Sequence, residues 1–343
     1  MDKLDQLVEA YRAAPEIYQV GRYWKAYEDK VIEEVKKADL QQLRSGAYPI
    51  FGTFGFSESI YHYNQKMSLP VKLAKKAIRS LFITKRALLP YSLRLEDIRH
   101  MAFINCVNQG NIAGLKSIRD IETSRFGNPS DLFEMEGKQY TMQFLNFYLR
   151  LCFAQKHLQL QGDETIIELG TGSGFQTEIL KKVFPDLTIL CFDLPYTLTL
   201  CEEYMTQTFG KSEVVGSLET LSWQNLNSLK KGKIHMIGNW KFPIIKSMPH
   251  HVFWNAASFG EMEPHIVQNY LSYVLGSCSY VFLLQANKGK ESTSNTGVQK
   301  PILFEDYMNY LDGYKLLEKA DAYEAHRKMS QSGGYFQAVW SNK

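Results

Sequence analysis

A run of alternating glycines near the middle of the chain has the residue types to hold a small ligand. It reads ELGTGSG over residues 168–174 and joins an apolar run to a segment with helical spacing. Glycines at alternate positions let the backbone turn sharply and approach a ligand without a Cβ in the way. The free N–H groups at the start of the following helix would point at that ligand. The run therefore predicts a ligand-binding turn.

A second acid, Asp193, ends the next apolar run, 19 residues after Gly174. In a doubly wound parallel sheet this carboxylate lies beside the first turn, where it can accept hydrogen bonds from both hydroxyls of a ribose. A dinucleotide-binding turn needs G-x-G-x-x-G, but here Phe175 takes the place of the third glycine. The pattern therefore favours a nucleoside without a pyrophosphate, and the acidic Glu168 favours a cationic ligand over an anionic one.

This combination resembles motif I of the class I S-adenosylmethionine (SAM)-dependent methyltransferases, E/D-x-G-x-G-x-G, over about residues 160–285. The resemblance implies SAM as cofactor, with Glu168 positioning its methionine ammonium, the three glycines passing beneath it and Asp193 binding its ribose. The alternatives are a tight strand–helix turn without a ligand and a nicotinamide or flavin enzyme. The predicted cofactor-binding residues are Glu168, Gly170, Thr171, Gly172, Gly174, Asp193, Leu194 and Asn255. For Asn255 a role in fixing a turn or contacting the acceptor is an equal alternative.

Three further stretches resemble a narrower family, the sugar O-methyltransferases of bacterial glycan and natural-product clusters. They are FGNP at 126–129 with the segment 137–149 after it, FDLP at 192–195 followed by Thr197-Leu198, and NAASFGEM at 255–262. The resemblance implies methyl transfer to a hydroxyl of a sugar or glycan. Two alternatives stay open: an O-methyltransferase acting on a phenol or carboxylate of a small molecule, and a non-catalytic SAM-binding partner protein.

Methylation of an alcohol needs a base to remove the hydroxyl proton. In open α/β sheets the ligands lie at the carboxyl ends of the strands, so the candidates are Glu261, His251 and His265 around the predicted fourth strand. His62 is a fourth candidate if the amino-terminal region covers the site. Each histidine has a structural or surface role as its alternative. Glu261 could instead form a capping box with Ser258. The sequence shows no compact carboxylate cluster, so no metal site is predicted.

The elements that would position these residues follow from the apolar periodicity. Strands and helices alternate after residue 165, which predicts an α/β fold with a parallel sheet. The resemblance to motif I implies that this is a Rossmann-like methyltransferase fold with a mostly parallel seven-stranded sheet. Residues 1–125 are predicted to be a helical cap, an acceptor-binding region or an oligomerisation region, and residues 126–343 the SAM-binding domain. Strands are predicted at 165–169, 187–192, 213–215, 250–255 and 279–284, an antiparallel edge pair at 314–318 and 335–340, and helices at 1–43, 69–89, 95–118, 138–160, 176–183 and 196–209.

The composition of this chain of 343 residues indicates which partners and which compartment to expect. The net charge of +3 is close to balanced and argues against a nucleic-acid partner. Five scattered cysteines are typical of reduced thiols, and no apolar run is long enough for a membrane helix, so we expect a cytoplasmic protein.

Residues 72–86 carry six basic residues and could contact a membrane surface or a charged glycan, although a solvated amphipathic helix is favoured. A helical extension is compatible with a homodimer. The polar stretch 286–300 is a candidate lid.

Overall fold

The computed structural model describes residues 2–25, 27–56, 91–247, 250–289, 297–322 and 334–342, with isolated positions between 70 and 78. Its chain forms two compact units. The first contains Met1–Ala38, Phe153–Ala322 and Ser332–Lys343, and the described residues of the second lie within Asp39–Cys152. The first 38 residues thus belong to the same unit as the large sheet. The functional boundary at residue 125 stays a prediction.

Helices form where apolar residues recur at three- and four-residue spacing. Lys3–Arg12, for example, buries Leu4, Leu7, Val8 and Tyr11 along one side. The α-helices are α1 (Lys3–Arg12), α2 (Arg22–Lys25), α3 (Glu28–Lys37), α4 (Tyr91–Ile112), α5 (Met142–Leu158), α6 (Phe175–Val183), α7 (Pro195–Phe209), α8 (Ser217–Leu221), α9 (Pro264–Val274) and α10 (Phe304–Tyr310). Short 3-10 helices lie at Glu16–Tyr18, Leu40–Gln42, Pro49–Phe54, Ile118–Asp120, Lys211–Glu213, Asn239–Ser247 and Phe259–Glu261.

The strands form a two-stranded hairpin in the second unit and an eight-stranded sheet in the first. They are β1 (Phe133–Met135), β2 (Lys138–Tyr140), β3 (Thr165–Leu169), β4 (Thr188–Asp193), β5 (Val214–Val215), β6 (Ile234–Gly238), β7 (His250–Ala256), β8 (Cys278–Ala286), β9 (Lys315–Asp321) and β10 (Tyr335–Ser341). The large sheet has the order β5-β6-β4-β3-β7-β8-β10-β9. Only β10 is antiparallel to its neighbours, β8 and β9. The predicted mostly parallel α/β fold is confirmed, with eight strands rather than seven.

The chain reverses its winding direction beside β3. After β3 it passes to β4 on one side, and it later returns to β7 on the other side. The carboxyl ends of these strands therefore splay apart around the turn after β3, which is where open α/β sheets bind ligands. The register confirms the arrangement, because Leu169 pairs with Phe192 and Asp193 pairs with Gly238.

Several sequence predictions differ from the structure. The helix predicted over 1–43 is divided into α1, α2 and α3, with a first break at Pro15. Residues 138–140 form strand β2, paired with β1, and the helix predicted over 138–160 begins only at Met142. Strand β6 was missed although it lies inside the sheet between β4 and β5. Its sequence IHMIG is short and carries a histidine, and all five residues are buried. A strand covered on both faces shows no alternation of apolar and polar residues, so apolar periodicity does not identify it as a strand.

The amino-terminal helix packs into the core of the sheet unit. Leu7 and Tyr11 of α1 belong to the same buried cluster as Phe192 of β4 and Trp240 after β6. The rings of Tyr11 and Trp240 lie 5.7 Å apart between centroids. This burial explains why residues 1–38 form one unit with the sheet.

The two edges of the large sheet are unlike its centre. Strand β5 has only two residues, and β9 exposes Lys315, Lys319 and Asp321. The β9–β10 register also shifts between Val339 and Trp340. Within the described part of the chain, no helix is long and apolar enough to cross a membrane.

Candidate functional site

The turn after β3 has the backbone geometry that the glycine spacing predicts. Gly170, Gly172 and Gly174 all have positive φ, at 76°, 57° and 79°. A Cβ at Gly170 would lie 2.3 Å from the Ser258 hydroxyl, and one at Gly174 would lie 2.8 Å from the Cys201 sulfur. Two of the glycines are therefore required by close packing against neighbouring elements. The third, Gly172, contributes its N–H group to the site.

Asp193 lies beside this turn, as predicted. The Gly172 N–H donates to its Oδ2 at 2.7 Å and the Leu194 N–H donates to its Oδ1 at 2.7 Å. Burial raises the pKa of Asp193 to about 7; the two backbone hydrogen bonds oppose the shift, and the charge of Glu261 adds to it. Each carboxylate oxygen has a second lone pair beyond these bonds. The carboxylate is thus fixed in position and able to accept from two adjacent hydroxyls.

Glu168, at the end of β3, is buried at the base of the turn. The Thr177 hydroxyl of α6 donates to its Oε2 at 2.6 Å, and this hydroxyl also lies 3.3 Å from the Cys191 sulfur. The Thr171 hydroxyl donates to the Glu168 carbonyl at 3.5 Å. Glu168 therefore links β3 to the first turn of α6, and its predicted role toward a methionine ammonium stays a prediction.

Asn255 is fully buried and joins the ends of three strands. Its Nδ2 donates to the Leu169 carbonyl at 2.8 Å and to the Ser258 hydroxyl at 2.6 Å. Its Oδ1 accepts from Gln285 Nε2 at 2.6 Å and from the Phe259 N–H at 3.4 Å. These bonds use both amide hydrogens and both oxygen lone pairs within the protein. Asn255 thus shapes the turn at Gly170, and direct contact with a cofactor stays a prediction.

Glu261 lies at the carboxyl edge of the sheet in the 3-10 turn that follows β7. Its Oε2 accepts a hydrogen bond of 2.9 Å from the indole Nε1 of Trp24 in α2. The capping alternative is wrong: Ser258 caps no N–H with its side chain, and its hydroxyl instead donates to the Leu169 carbonyl at 3.3 Å. Glu263, rather than Ser258, precedes helix α9.

Two of the three histidine candidates lie among the described residues. His251 is the second residue of β7, at the amino end of a strand whose carboxyl end carries Asn255. His265 lies exposed in the first turn of α9. His62 lies outside the described residues, as do most of the basic segment 72–86 and residues 290–296 of the candidate lid. Glu261 is therefore the catalytic candidate that the structure places near Asp193.

The sequence reading missed the residues that the amino-terminal region contributes. The Tyr18 carbonyl accepts a hydrogen bond of 2.7 Å from Asn239 Nδ2, and Asn239 directly follows β6 beside Asp193. Trp24 reaches Glu261, as described above. Neither contact has a local signal, because each joins residues more than 200 positions apart. Recognition of β6 as a strand would have identified Asn239 as an edge residue.

The charge around the site is acidic. Burial raises the pKa of the Tyr196 hydroxyl, and the carboxylates of Glu28, Asp193 and Glu261 raise it further. Burial also raises the pKa of Glu28, which interacts with the Tyr11 hydroxyl. Carboxylates attract cations and hydroxyl donors and repel phosphates, and Arg12 and Lys25 offset part of the charge of Glu28. The site therefore has the electrostatics for a cationic or neutral ligand that carries hydroxyl groups.

No protein-family profile matches the chain, and no curated protein matches it. Solved structures resemble part of the chain, at low identity and low TM-score. One is a SAM-dependent methyltransferase from Aquifex aeolicus (15% identity, 56% of this chain and 88% of that chain, TM-score 0.36). A second is the magnesium protoporphyrin IX methyltransferase of Synechocystis PCC 6803 with bound S-adenosylhomocysteine (SAH) (7% identity, 56% and 78%, TM-score 0.37). A third is the pyocyanin biosynthetic protein PhzM (11% identity, 74% and 72%, TM-score 0.38). The chemistry of this site is derived from its own residues.

Proposed function

We propose that the protein is a SAM-dependent O-methyltransferase that transfers a methyl group to a hydroxyl of a sugar or glycan. The observation that carries the cofactor assignment is the Asp193 carboxylate, which two backbone N–H groups hold beside a glycine turn at 2.7 Å each. A ribose presents two adjacent hydroxyls, and a fixed carboxylate can accept from both. The nearby acids Glu28 and Glu261 favour a sulfonium cofactor over a dinucleotide with a charged linker.

SAM supplies an activated methyl group, because the bond from its sulfonium sulfur to the methyl carbon breaks to release the neutral thioether SAH, a good leaving group. The protein has to hold the cofactor, place the acceptor oxygen in line with the methyl carbon and exclude water. Asp193 and the turn at Gly172 would hold the nucleoside. Asn255 and Ser258 would keep the turn in shape through their bonds to the Leu169 carbonyl.

The choice of a sugar hydroxyl as acceptor rests on the resemblance of three sequence stretches to sugar O-methyltransferases. The stretch at 255–262 includes Asn255 and Glu261, which lie at the carboxyl edge of the sheet next to the proposed cofactor site. The stretch at 192–195 includes Asp193 itself. An acceptor that approaches this edge would meet the methyl group there.

Isothermal titration calorimetry with SAM, SAH and NAD tests the cofactor assignment. We expect SAM and SAH to bind the wild type, and Asp193→Ala to weaken both at least tenfold because a hydrogen-bonded charge is lost. Uptake of NAD with no affinity for SAH would overturn the assignment. Transfer of a labelled methyl group to nucleotide sugars or glycans tests the acceptor class. Transfer to phenols or carboxylates alone would replace the sugar with a different small molecule.

A further inference from the structure

The amino-terminal segment, defined as the described residues from Lys3 to Lys37, lies on the sheet unit through several separate contacts. Lys3 Nζ lies 3.2 Å from a carboxylate oxygen of Glu202 in α7. The Tyr18 hydroxyl donates to the Tyr273 hydroxyl of α9 at 3.1 Å. With Leu7 and Tyr11 in the core, these contacts fix α1 and the chain that follows it. The segment therefore runs from the α7 side of the unit to the α9 side.

Helix α2 is the part of this segment that reaches the proposed cofactor site. It has four residues, so its own hydrogen bonds hold it weakly, and its position depends on tertiary contacts. Trp24 is half-buried and donates from Nε1 to Glu261 Oε2 at 2.9 Å. A hydrogen bond from a neutral donor to a carboxylate is stronger than one between neutral groups. Trp24 thus ties α2 to the turn that follows β7.

We infer that Trp24 and Glu261 form a positioning pair that holds α2 over the proposed cofactor site and gives that site its preference for a cationic ligand. The inference rests on the proposed function. It assigns Glu261 a positioning role in place of that of the general base, because its Oε2 accepts the hydrogen bond that ties α2 to the turn after β7. The pair also keeps a negative charge near the site, and a negative charge attracts a sulfonium.

The charge of Glu261 acts on the proposed cofactor site as well as on its hydrogen bond with Trp24. It is the nearby charge that adds to the raised pKa of Asp193, and it also acts on Tyr196. Glu261 thus shares an electrostatic environment with the Asp193 carboxylate, which would bind the ribose. Neutralising it would change the attraction for a positive centre, whereas cutting the Trp24 bond alone would release α2.

Three variants separate these effects. Trp24→Phe keeps an aromatic ring and removes the indole N–H, Glu261→Gln keeps the size and an acceptor oxygen, and the double variant tests their coupling. Tyr27→Phe is the matched control, since Tyr27 is an exposed aromatic residue in the same segment, 42% accessible. Thermal unfolding without ligand checks that each variant is folded.

The probes are SAH, whose sulfur is uncharged, and sinefungin, which carries an ammonium where SAM has its sulfonium methyl. We expect Trp24→Phe to weaken both about tenfold, in the range of a lost hydrogen bond to a charged group. We expect Glu261→Gln to weaken the binding of sinefungin more than that of SAH. In the double variant, the loss of affinity should be smaller than the product of the losses in the two single variants. Tyr27→Phe should bind both as the wild type does.

The results that overturn the inference differ from those that overturn the proposed function. If the wild type binds SAH but Glu261→Gln leaves both affinities unchanged and abolishes methyl transfer, Glu261 is the base and the positioning pair is wrong. Equal losses for SAH and sinefungin in Glu261→Gln would reduce its role to local structure and also overturn the inference. If the wild type binds neither probe, the cofactor assignment fails and the inference fails with it.

Discussion

At the scale of single residues, Asp193 determines how the proposed site responds to pH. Its pKa of about 7 belongs to the protein without a ligand, and burial is the main cause of the shift. Ribose hydroxyls would donate to the charged carboxylate and so lower this pKa on binding. Binding therefore favours the deprotonated form. Glu261 faces the same carboxylate and contributes to the raised value.

We predict that SAH affinity falls about tenfold between pH 8 and pH 6, because a proton must leave Asp193 before the ligand binds. Calorimetry across this range measures the effect. Asp193→Asn is the control: its affinity should be lower at pH 8 and constant through the range. A wild-type profile that is flat around pH 7 would contradict the assignment of Asp193 to the ribose.

Asn255 shows what the sequence could not predict at this scale. The glycine turn and Asp193 follow from local spacing after two strands, and the structure places them together as expected. Asn255 was predicted either to contact the cofactor or acceptor or to fix a turn, and its four hydrogen bonds join Leu169, Ser258, Phe259 and Gln285. Such a network depends on which strands are neighbours in the sheet. The sequence of a single strand does not show its neighbours.

We predict that Asn255→Ala lowers the free energy of unfolding by about 3 kcal/mol, because it leaves several buried polar groups without partners. Urea denaturation followed by circular dichroism measures the change. Asn227→Ala, at an exposed loop position, is the matched control and should lie within about 0.5 kcal/mol of the wild type. A loss below about 1 kcal/mol for Asn255→Ala would show that the network is not important for stability.

At the scale of elements, the end of the glycine turn sets the contact between α6 and α7. Gly174 precedes α6, and a Cβ there would lie 2.8 Å from the Cys201 sulfur and 3.0 Å from the Met205 methyl carbon. Both are side chains of α7. The glycine therefore lets the two helices approach closely in addition to permitting the positive φ.

Gly174→Ala and Gly137→Ala separate these two requirements. Both glycines have a φ of 79°, but a Cβ at Gly137 would meet nothing within 4 Å. We predict a loss of about 1 kcal/mol for Gly137→Ala from backbone strain alone, and of about 2–4 kcal/mol for Gly174→Ala from strain and overpacking. Urea denaturation compares the two. Equal losses would show that the packing of α7 against the turn is not tight.

Elements were predicted best where they are long or follow a turn with a clear composition. The strand at 165–169 and the antiparallel pair β9–β10 were found from sequence. Strand β6 was missed because it is buried on both faces. Hairpin β1–β2 was missed because Tyr140 continues the apolar and aromatic spacing of α5. The amino-terminal helices were predicted, but their attachment to the sheet unit was not.

At the scale of the whole molecule, two buried groups give stability a dependence on pH in opposite directions. Burial lowers the pKa of His235 from 6.5 to about 4, so its contribution is complete above pH 6.5 and is lost as the pH falls toward 4. Asp193 has a raised pKa, so its contribution is largest below pH 4 and is lost as the pH rises through 7. Between pH 4 and 6.5 the two effects offset each other.

We predict that His235→Gln makes the protein less sensitive to acid, because glutamine can accept the Lys230 N–H bond that His235 Nε2 accepts at 3.1 Å and cannot be protonated. The difference in unfolding free energy between wild type and variant should move by roughly 2 kcal/mol in favour of the variant from pH 7.5 to pH 4.5. Urea denaturation at the two pH values measures it. A pH-independent difference would show that His235 titrates normally.

The borders of the large sheet have a consequence for behaviour in crowded or refolding conditions. A strand at a sheet border offers unpaired backbone groups on which another chain can grow, unless it is short, charged or distorted. Strand β5 is only two residues long, and β9 combines exposed Lys315 and Lys319 with a register shift in its partner. Templated fibre growth from the native protein is therefore disfavoured at both borders. Any precipitation on heating should begin with chains that have already lost this sheet.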